Sequence, residues 1–314
     1  MQIAPLTFQD VNAWATLLAL CFHRTEAEMV ALLHWLNKLG NLVAWGAWED
    51  NQLVAQYTCL IRSVYAYDTL YKAGMSMNMA VHPDYRGRGL IKHVAAPVYD
   101  SVQQQGGMMG LGFSNADGVR VDRNSKSYGY QVIGQMQPVI GLLQASPHPN
   151  IQLCDHLPGS EQGFNDACQL DIRQNGIAFL KTPDTFISRY AAHPFRKYQY
   201  GIWEEAGQIQ GIVVYRDIQI LGIPCVALLD AWGADLRGLI AQWMGAIRKK
   251  GALIVQALLT PAHPVRKALA TMQPLFRQPY TRNPYYLTLK HLGQDQPIYS
   301  FDFNSWHFIG GDIL

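Results

Sequence analysis

The stretch HPDYRGRGLI, residues 82–91, decides the fold of this chain. It follows an apolar run, residues 75–81, in which methionines alternate with other residues as in a β-strand, and a run with helical spacing begins near Gly89. The first amides of a helix have no partner within it and carry partial positive charge, and glycines let a phosphate approach the backbone. Since Arg86 and Arg88 add formal charge, the sequence predicts that a pyrophosphate-bearing ligand binds at this turn.

Two other glycine loops do not fit. A P-loop requires Gly-Lys-Ser or Gly-Lys-Thr, and a dinucleotide loop requires a third Gly where this chain has Lys92. The stretch instead resembles the coenzyme A loop of the GNAT superfamily of acyl-CoA N-acyltransferases, whose pattern is Arg/Gln-x-x-Gly-x-Gly/Ala after a lead-in such as Val-x-Pro-x-Tyr. Arg86, Gly89 and Ile91 take the pattern positions, and Ile91 stands where that family has a small residue. The alternative is a turn that only joins a strand to a helix.

The resemblance implies which residues bind acetyl-CoA. The loop would hold the pyrophosphate through Arg86, Gly87, Arg88, Gly89, Leu90 and Ile91. The backbone of the preceding strand, at Met79, Ala80 and Val81, would pair with the pantetheine and polarise the thioester carbonyl. Asn115 ends the next strand, and it either hydrogen-bonds the cofactor or caps the following helix.

The resemblance also implies an acid that protonates the leaving thiolate, and here the sequence leaves alternatives. In the family this acid is usually a Tyr about four residues before a Gly-Phe pair. The corresponding pair here is Gly129-Tyr130, so the candidates are Ser125, which lies at that spacing, and Tyr128, which lies nearby. The base that accepts the amine proton has several candidates. They are water, the terminal carboxylate of Leu314, and side chains of suitable type: His23, His34, His82 and Asp84.

Composition limits the other classes of function. The chain has 314 residues, 49% of them hydrophobic, 15% charged, and a net charge of +2, which gives no general case for binding nucleic acid or an anionic membrane. The five cysteines are scattered without a Cys-x-x-Cys pair, so we expect reduced thiols and no metal site. The N-terminus lacks the basic region of a signal peptide and no apolar run reaches a membrane-spanning length, so we expect a cytoplasmic protein.

Hydrophobic spacing and turn residues predict the order of elements. Residues 8–38 are predicted to be helical, a hairpin follows, and then come the strand, the loop, a helix and two further strands, which is the order of a GNAT domain. After a turn-rich linker at residues 146–163, a similar order recurs without an Arg-x-x-Gly-x-Gly loop. We therefore predict an α/β (α+β) fold with a mixed, mostly antiparallel, twisted sheet flanked by helices. It would form two GNAT-like units in tandem, an acetyl-CoA-binding domain at 1–145 and a degenerate domain at 164–314.

These expectations imply a function with one alternative from another class. The chain is expected to transfer acetyl from acetyl-CoA to an amine of a small molecule or amino sugar by direct attack, and its C-terminal residues resemble those of bacterial two-unit GNAT proteins associated with polysaccharide or amino-sugar modification. The alternative is a non-catalytic acyl-CoA-binding or structural module. The expected partner is the amine substrate, with no nucleic acid and no membrane, and a homodimer is left open.

Overall fold

The structure is a computed structural model that describes residues 1–66, 69–115, 118, 129–144, 150–157, 176–277, 284–293 and 302–313. In the first half of the chain the strands are β1 (Gln2–Pro5), β2 (Asn41–Glu49), β3 (Gln52–Ala66), β4 (Thr69–Val81), β5 (Gly107–Ser114) and β6 (Gln131–Leu142). The helices there are α1 (Val11–Phe22), α2 (Glu26–Leu39) and α3 (Leu90–Gln104).

In the second half of the chain, the strands are β7 (Gln152–Cys154), β8 (Ile177–Phe179), β9 (Gln199–Glu205), β10 (Gln208–Ile220), β11 (Ile223–Gly233), β12 (Ile254–Leu259), β13 (Phe276–Arg277) and β14 (Tyr285–His291). The helices there are α4 (Pro183–Tyr190), α5 (Leu236–Lys249) and α6 (Pro264–Met272). The bounds of α5 and α6 are those that hydrophobic spacing predicts. The short strands β1, β7, β8 and β13 have too few residues to show a period, and the sequence did not predict them.

The helical run predicted for residues 8–38 is divided in two. His23 ends α1 in the left-handed conformation, with φ 54°. Thr25 then begins α2 with a capping box, in which its hydroxyl accepts the amide of Glu28 at 3.2 Å and the Glu28 carboxylate accepts the amide of Thr25 at 2.9 Å. This box satisfies two amides at the new helix start, so the chain can reverse there and return antiparallel.

Two-residue turns of one kind set the register of the hairpins. Both central residues of each turn have positive φ, which is the type I′ geometry whose twist matches that of the flanking strands. These turns are Asp50-Asn51 (φ 49° and 63°), Ala206-Gly207 (51° and 75°) and Leu221-Gly222 (52° and 81°). They join β2 to β3, β9 to β10 and β10 to β11.

The strands form one mixed, mostly antiparallel sheet, which confirms the predicted fold class. Its order is β1-β2-β3-β4-β5-β14-β6-β12-β11-β10-β9-β7. Among the described residues, the parallel pairs of strands are β4 with β5 and β11 with β12. Each parallel pair is joined by a helix, α3 in the first case and α5 in the second, so the order strand, helix, strand occurs twice.

The two units of the sheet exchange a strand. The first unit contains β1 to β5 and is completed by β14 from the far end of the chain, which pairs with β5. The second unit contains β7 and β9 to β12 and is completed by β6, which pairs with β12. Since β6 and β14 also pair with each other, the two exchanged strands form the centre of a continuous sheet.

The strand exchange affects how the predicted boundary between the two domains is understood. The predicted linker at 146–163 falls mainly on residues outside the described ones, and its limits stay a prediction. In the structure, β6 precedes the predicted linker but lies beside β12, whereas β14 follows it but lies beside β5. The units are therefore interlocked, whichever residues join them.

Residues 302–313, the terminal segment, lie between the units. Trp306 forms a bridge with Ile177 next to β8, and Ile309 forms one with Leu259 at the end of β12. The rings of Trp306 and Phe308 are fully buried in the cluster beneath β3 to β5. Helix α3 covers the other face of these strands with the apolar stripe that the sequence predicts: Leu90, Val94, Val98 and Val102.

Candidate functional site

The first unit contains an opening between its two parallel strands. Strands β4 and β5 pair from Lys72 to Ser76, where Ser76 lies opposite Gly112. Beyond that pair β4 continues to Val81 beside β3, whereas β5 ends at Ser114 and stays paired along its other edge with β14. We call the resulting gap the first opening, and Ser76 lies at its base.

A β-bulge in β4 borders the first opening. The register shifts between Gln56 and Thr58 of β3, so that Asn78 and Met79 together face one residue of the neighbouring strand. Asn78 takes the left-handed conformation with φ 49°, which Asn tolerates better than most residues. The buried amide of Gln56 fixes the bulge, because its nitrogen donates to the carbonyl of Asn78 and its oxygen accepts the hydroxyl of Thr58.

The predicted anion loop lies at the outer end of the first opening. Gly87 and Gly89 have φ 79° and 70°, and a Cβ built on either glycine would meet nothing within 4 Å. Gly89 is the N-cap of α3 and carries no side-chain cap, so the first amides of the helix stay available to an anion. Residues 86–89 are exposed. This arrangement can bind a phosphate through backbone amides at a positive helix end.

The two loop arginines hold the turn in shape. The Nε of Arg86 donates to the carbonyl of Val81 at 3.3 Å, which ties the loop to the end of β4. Arg88 donates to the carbonyl of Asp84 at 3.0 Å, and its guanidinium lies 4.5 Å from the centre of the Tyr85 ring. Both side chains stay exposed, so their charge also faces an incoming anion.

Ile91, the departure from the family pattern, lies with its side chain in the core. The side chains of Leu90 and Ile91 are buried among those of α3 and the sheet. The loop therefore presents only the backbone of residue 91, and the larger side chain takes no space from a ligand at the glycines.

The side chains of the strand residues assigned to the pantetheine pack against apolar neighbours in the protein interior. Ala80 is buried among the side chains of α1, and Met79 and Val81 pack against the cluster beneath α3. The carbonyl of Val81 accepts both Arg86 and the thiol of Cys21, which lies 3.3 Å away. Any contact that these residues make to a ligand is therefore made by their backbone.

Asn115 lies past the end of β5 and caps a turn. Its amide oxygen accepts the backbone amide of Gly118 at 2.8 Å, the contact that an N-cap side chain makes. The capping alternative is thus present in the structure. The role of Asn115 toward the cofactor stays a prediction.

The candidate acids lie outside the described residues. Ser125 and Tyr128 both fall within residues 119–128, and their role as acids stays a prediction. Among the described base candidates, His82 and Asp84 lie 3.8 Å apart, whereas His23 and His34 lie at α1 and on α2. Leu314 lies outside the described residues. His82 accepts the amide of Asp84 at 3.3 Å within the loop turn, His34 packs on Phe8 with ring centres 5.1 Å apart, and His23 ends α1.

A row of hydroxyl groups lies below the first opening, and no sequence pattern predicted it. The Tyr57 hydroxyl donates to Ser76 at 2.8 Å and lies 2.5 Å from the hydroxyl of Tyr99, which in turn contacts that of Tyr130. Burial raises the pKa of Tyr57, Tyr99 and Tyr130, so all three phenols keep their protons. The row ties β3, β4 and α3 together and orients the Ser76 hydroxyl. No spacing signal links these residues, which come from β3, β4, α3 and the position just before β6.

In the second unit, a side-chain carboxylate already caps the amides at the corresponding helix start. Helix α5 begins at Asp235, whose carboxylate accepts the amide of Gly238 at 2.9 Å. A carboxylate at this position neutralises the amides that would hold a phosphate and repels an anion. The sequence predicted the absence of a coenzyme A loop after β11, and the structure adds this physical reason.

The gap between β11 and β12 is filled by the chain itself. These strands pair from Cys225 to Leu228, and residues 310–312 of the terminal segment pack against both strands beyond that point. A Cβ on Gly311 would lie 2.7 Å from the carbonyl of Leu229, so the segment fits because this residue is a glycine. The second unit thus offers no gap like the first opening.

Comparisons with known proteins agree with this architecture. The family description "Acetyltransferase (GNAT) domain" matches residues 2–120. No curated protein sequence matches the chain. Among solved structures, a GCN5-related N-acetyltransferase from Anabaena variabilis ATCC 29413 is similar with a TM-score of 0.68 at 12% identity, over 93% of this chain and 73% of that one.

Two further structures show the same likeness. A protein from Enterococcus faecalis V583, described as a probable N-acyltransferase, is similar with a TM-score of 0.66 at 11% identity, over 93% of this chain and 72% of that one. Eis1 from Mycobacterium abscessus is similar with a TM-score of 0.62 at 12% identity, over 93% of this chain and 74% of that one. Residues 2–120 therefore match the GNAT domain family, and over 93% of its length the chain shares the fold of these structures.

The described residues contain neither a candidate membrane span nor a candidate metal site. None of the helices in this part of the chain is long and apolar enough to cross a membrane. No group of three or more His, Cys, Asp or Glu side chains within these ranges is arranged to hold a metal ion.

Proposed function

We propose that this protein is an N-acetyltransferase that transfers acetyl from acetyl-CoA to an amine of a small molecule or amino sugar. The observation that carries the proposal is the uncapped start of α3 at Gly89, placed at the end of the first opening within the matched GNAT domain. A pyrophosphate at Gly87 and Gly89 would direct the rest of the coenzyme along β4 toward the bulge at Asn78.

The proposed reaction is a direct attack. The amine nitrogen attacks the carbonyl carbon of the thioester, the C–S bond breaks, and the sulfur leaves as a thiolate. Backbone amides of β4 near Met79 to Val81 would stabilise the negative charge that develops on the carbonyl oxygen. The thiolate takes a proton from Tyr128 or Ser125, and the amine loses its proton to solvent or to a base not yet assigned.

The chemistry is proposed for the first unit only. In the second unit the helix start is capped by Asp235 and the gap between strands is filled by the terminal segment. These features favour one coenzyme per chain. The surfaces around the first opening would select the acceptor amine.

The test compares two variants of matched backbone strain. Gly89→Asp adds a carboxylate at the anion loop, whereas Gly207→Asp adds one in the turn between β9 and β10, where φ is 75° and nothing lies within 4 Å of the new Cβ. We expect acetyl-CoA and free coenzyme A to raise the melting temperature of the wild type and of Gly207→Asp, and NAD to have no effect. Gly89→Asp should lose the response, because the carboxylate repels the pyrophosphate.

Release of free thiol from acetyl-CoA in the presence of a panel of amines and amino sugars then tests catalysis. Thiol release that depends on the acceptor and is lost in Gly89→Asp supports the transferase. Binding of coenzyme A without thiol release by any amine would favour the non-catalytic acyl-CoA-binding module. No binding of either coenzyme form by the wild type would contradict both functions.

A further inference from the structure

A cavity outside the first opening lies on the edge of β3. The edge pairs with β2 as far as Ile61 and with β8 from Val64 onward, and Arg62 and Ser63 lie between these two ladders, where the Ser63 carbonyl accepts the amide of Leu180 at 2.9 Å. A cavity of about 150 Å³ lies beside these residues, and we call it the edge cavity. Its lining residues are Leu39, Leu60, Ile61, Arg62, Ser63, Leu180, Thr185 and Arg189.

Arg189 of α4 is the buried charge that lines the edge cavity. This arginine is buried, with only 6% of its surface exposed. Its Nε donates to the carbonyl of Gly311 at 3.1 Å and its Nη2 to that of Ile313 at 3.0 Å. Among the described residues, no group accepts a hydrogen bond from the buried Nη1. An unsatisfied donor on a buried cation is costly, so an acceptor is expected there.

The charged side chains around Arg189 indicate the sign and the number of charges that the acceptor carries. A small recess next to the edge cavity shares Arg62 and Arg189 with it and adds Lys181, Asp230 and Asp312. Lys181 lies 2.7 Å from Asp230 and 3.4 Å from Asp312, so one cation faces two carboxylates. The two arginines add two more positive charges, so the described side chains of the cluster carry three positive and two negative charges, a net charge of +1. A monoanion compensates it, whereas a dianion would exceed it.

The walls specify the rest of the ligand. The cavity is bounded by four apolar side chains, those of Leu39, Leu60, Ile61 and Leu180, and by the hydroxyl groups of Ser63 and Thr185. The guanidinium of Arg62 is held 4.0 Å from the centre of the Phe179 ring, so this charge is fixed in place. A carboxylate matches the planar fork of a guanidinium, and a short alkyl chain matches the apolar walls.

We propose that the edge cavity binds a short-chain monocarboxylate, with the carboxylate on Nη1 of Arg189 and beside Arg62, and the alkyl chain against Leu39 and Leu180. This site contains none of the residues of the anion loop. It is separate from the first opening, and the proposal stands whether or not the chain transfers acetyl groups.

The test uses the full-length protein without coenzyme A and butyrate as the probe. Calorimetric titration and melting temperature are measured with butyrate, with the neutral isostere butyramide, and with inorganic phosphate. We expect butyrate to bind with one site per chain and to raise the melting temperature, and butyramide and phosphate to bind at least tenfold more weakly. Equal binding of butyramide, or no binding of butyrate, would overturn the proposal.

Variants locate the site. Arg189→Met keeps the aliphatic stem and should weaken butyrate binding at least tenfold, whereas Arg237→Met, an exposed arginine on α5, should leave it unchanged. Because Arg189 also holds two carbonyls of the terminal segment, Leu39→Trp provides an independent check by filling the cavity from its apolar side. Butyrate binding that survives in a folded Leu39→Trp variant would place the ligand elsewhere and refute the assignment.

Discussion

Asn78 shows how one residue prepares the first opening. Its left-handed backbone makes the bulge that separates β4 from the regular ladder, and Gln56 and Thr58 hold that bulge from a fully buried position. Few residue types accept φ 49° without strain. The choice of Asn here is therefore a backbone requirement, and the side chain itself is only half-buried.

Substitutions at Asn78 should separate backbone strain from side-chain chemistry. Asn78→Val should lower the free energy of unfolding by about 1–3 kcal/mol, because a β-branched residue is strained at positive φ. Asn78→Gly should stay within about 1 kcal/mol of the wild type, because Gly adopts this conformation freely. Urea denaturation measures both. Equal stability of the two variants would contradict the role assigned to the backbone at this residue.

Ile91 permits a second prediction at the same scale. Ile91→Ala restores the small residue of the family pattern, yet it should lower the free energy of unfolding by about 2–4 kcal/mol, because the side chain lies in the core beneath α3. Coenzyme A affinity of the folded variant should match the wild type. Tighter binding by Ile91→Ala, measured by calorimetry, would show that the larger side chain does obstruct the loop.

At the scale of elements, the terminal segment connects the two units through buried histidines. His307 donates its backbone amide to Ile177 and lies with its ring 6.3 Å from that of His263, the N-cap of α6. Burial lowers the pKa of His307 to about 4 and holds that of His263 well below its usual range. Both rings are therefore neutral in the folded protein near pH 7.

Acid should destabilise the protein through this pair. An unfolded His binds a proton near pH 6.5, whereas folded His307 does so only near pH 4, so stability is complete above pH 6.5 and is lost as the pH falls toward 4. For His307 alone the full loss is about 3 kcal/mol. His307→Gln should flatten the fall in unfolding free energy across this range, and His156→Gln, at an exposed histidine, should not. Equal slopes for the wild type and His307→Gln would refute the assignment.

At the scale of the whole molecule, the strand exchange makes the two units depend on each other. Each unit is completed by a strand from the other half of the chain, β14 in the first and β6 in the second. An open strand edge exposes unpaired amides and carbonyls. Neither unit is expected to retain its sheet when the other unfolds.

Destabilising the second unit should therefore weaken the first. Trp243 is fully buried in the core beneath α5, and Trp243→Ala should cost about 3–5 kcal/mol. We expect hydrogen exchange at the amides of β3, in the first unit, to accelerate by the factor that corresponds to this loss. Exchange of β3 at the wild-type rate would show that the units unfold independently.

The sequence by itself determined the local elements and the anion loop. Alternation in β4, the fourfold spacing of α3 and the glycines at 87 and 89 follow from interactions between near neighbours along the chain, so the pattern of residues records them. The absence of a loop after β11 was also evident from the sequence. The family resemblance then gave the fold class and the proposed site of coenzyme A.

Only the tertiary structure decided which distant residues meet. The pairing of β14 with β5, the row of hydroxyls from Ser76 to Tyr130, and the buried Arg189 beside β3 each join residues that lie far apart in the chain. Such contacts depend on how the sheet closes and on what fills the space between the units. No periodicity or short motif encodes them, because the partners share no local backbone geometry.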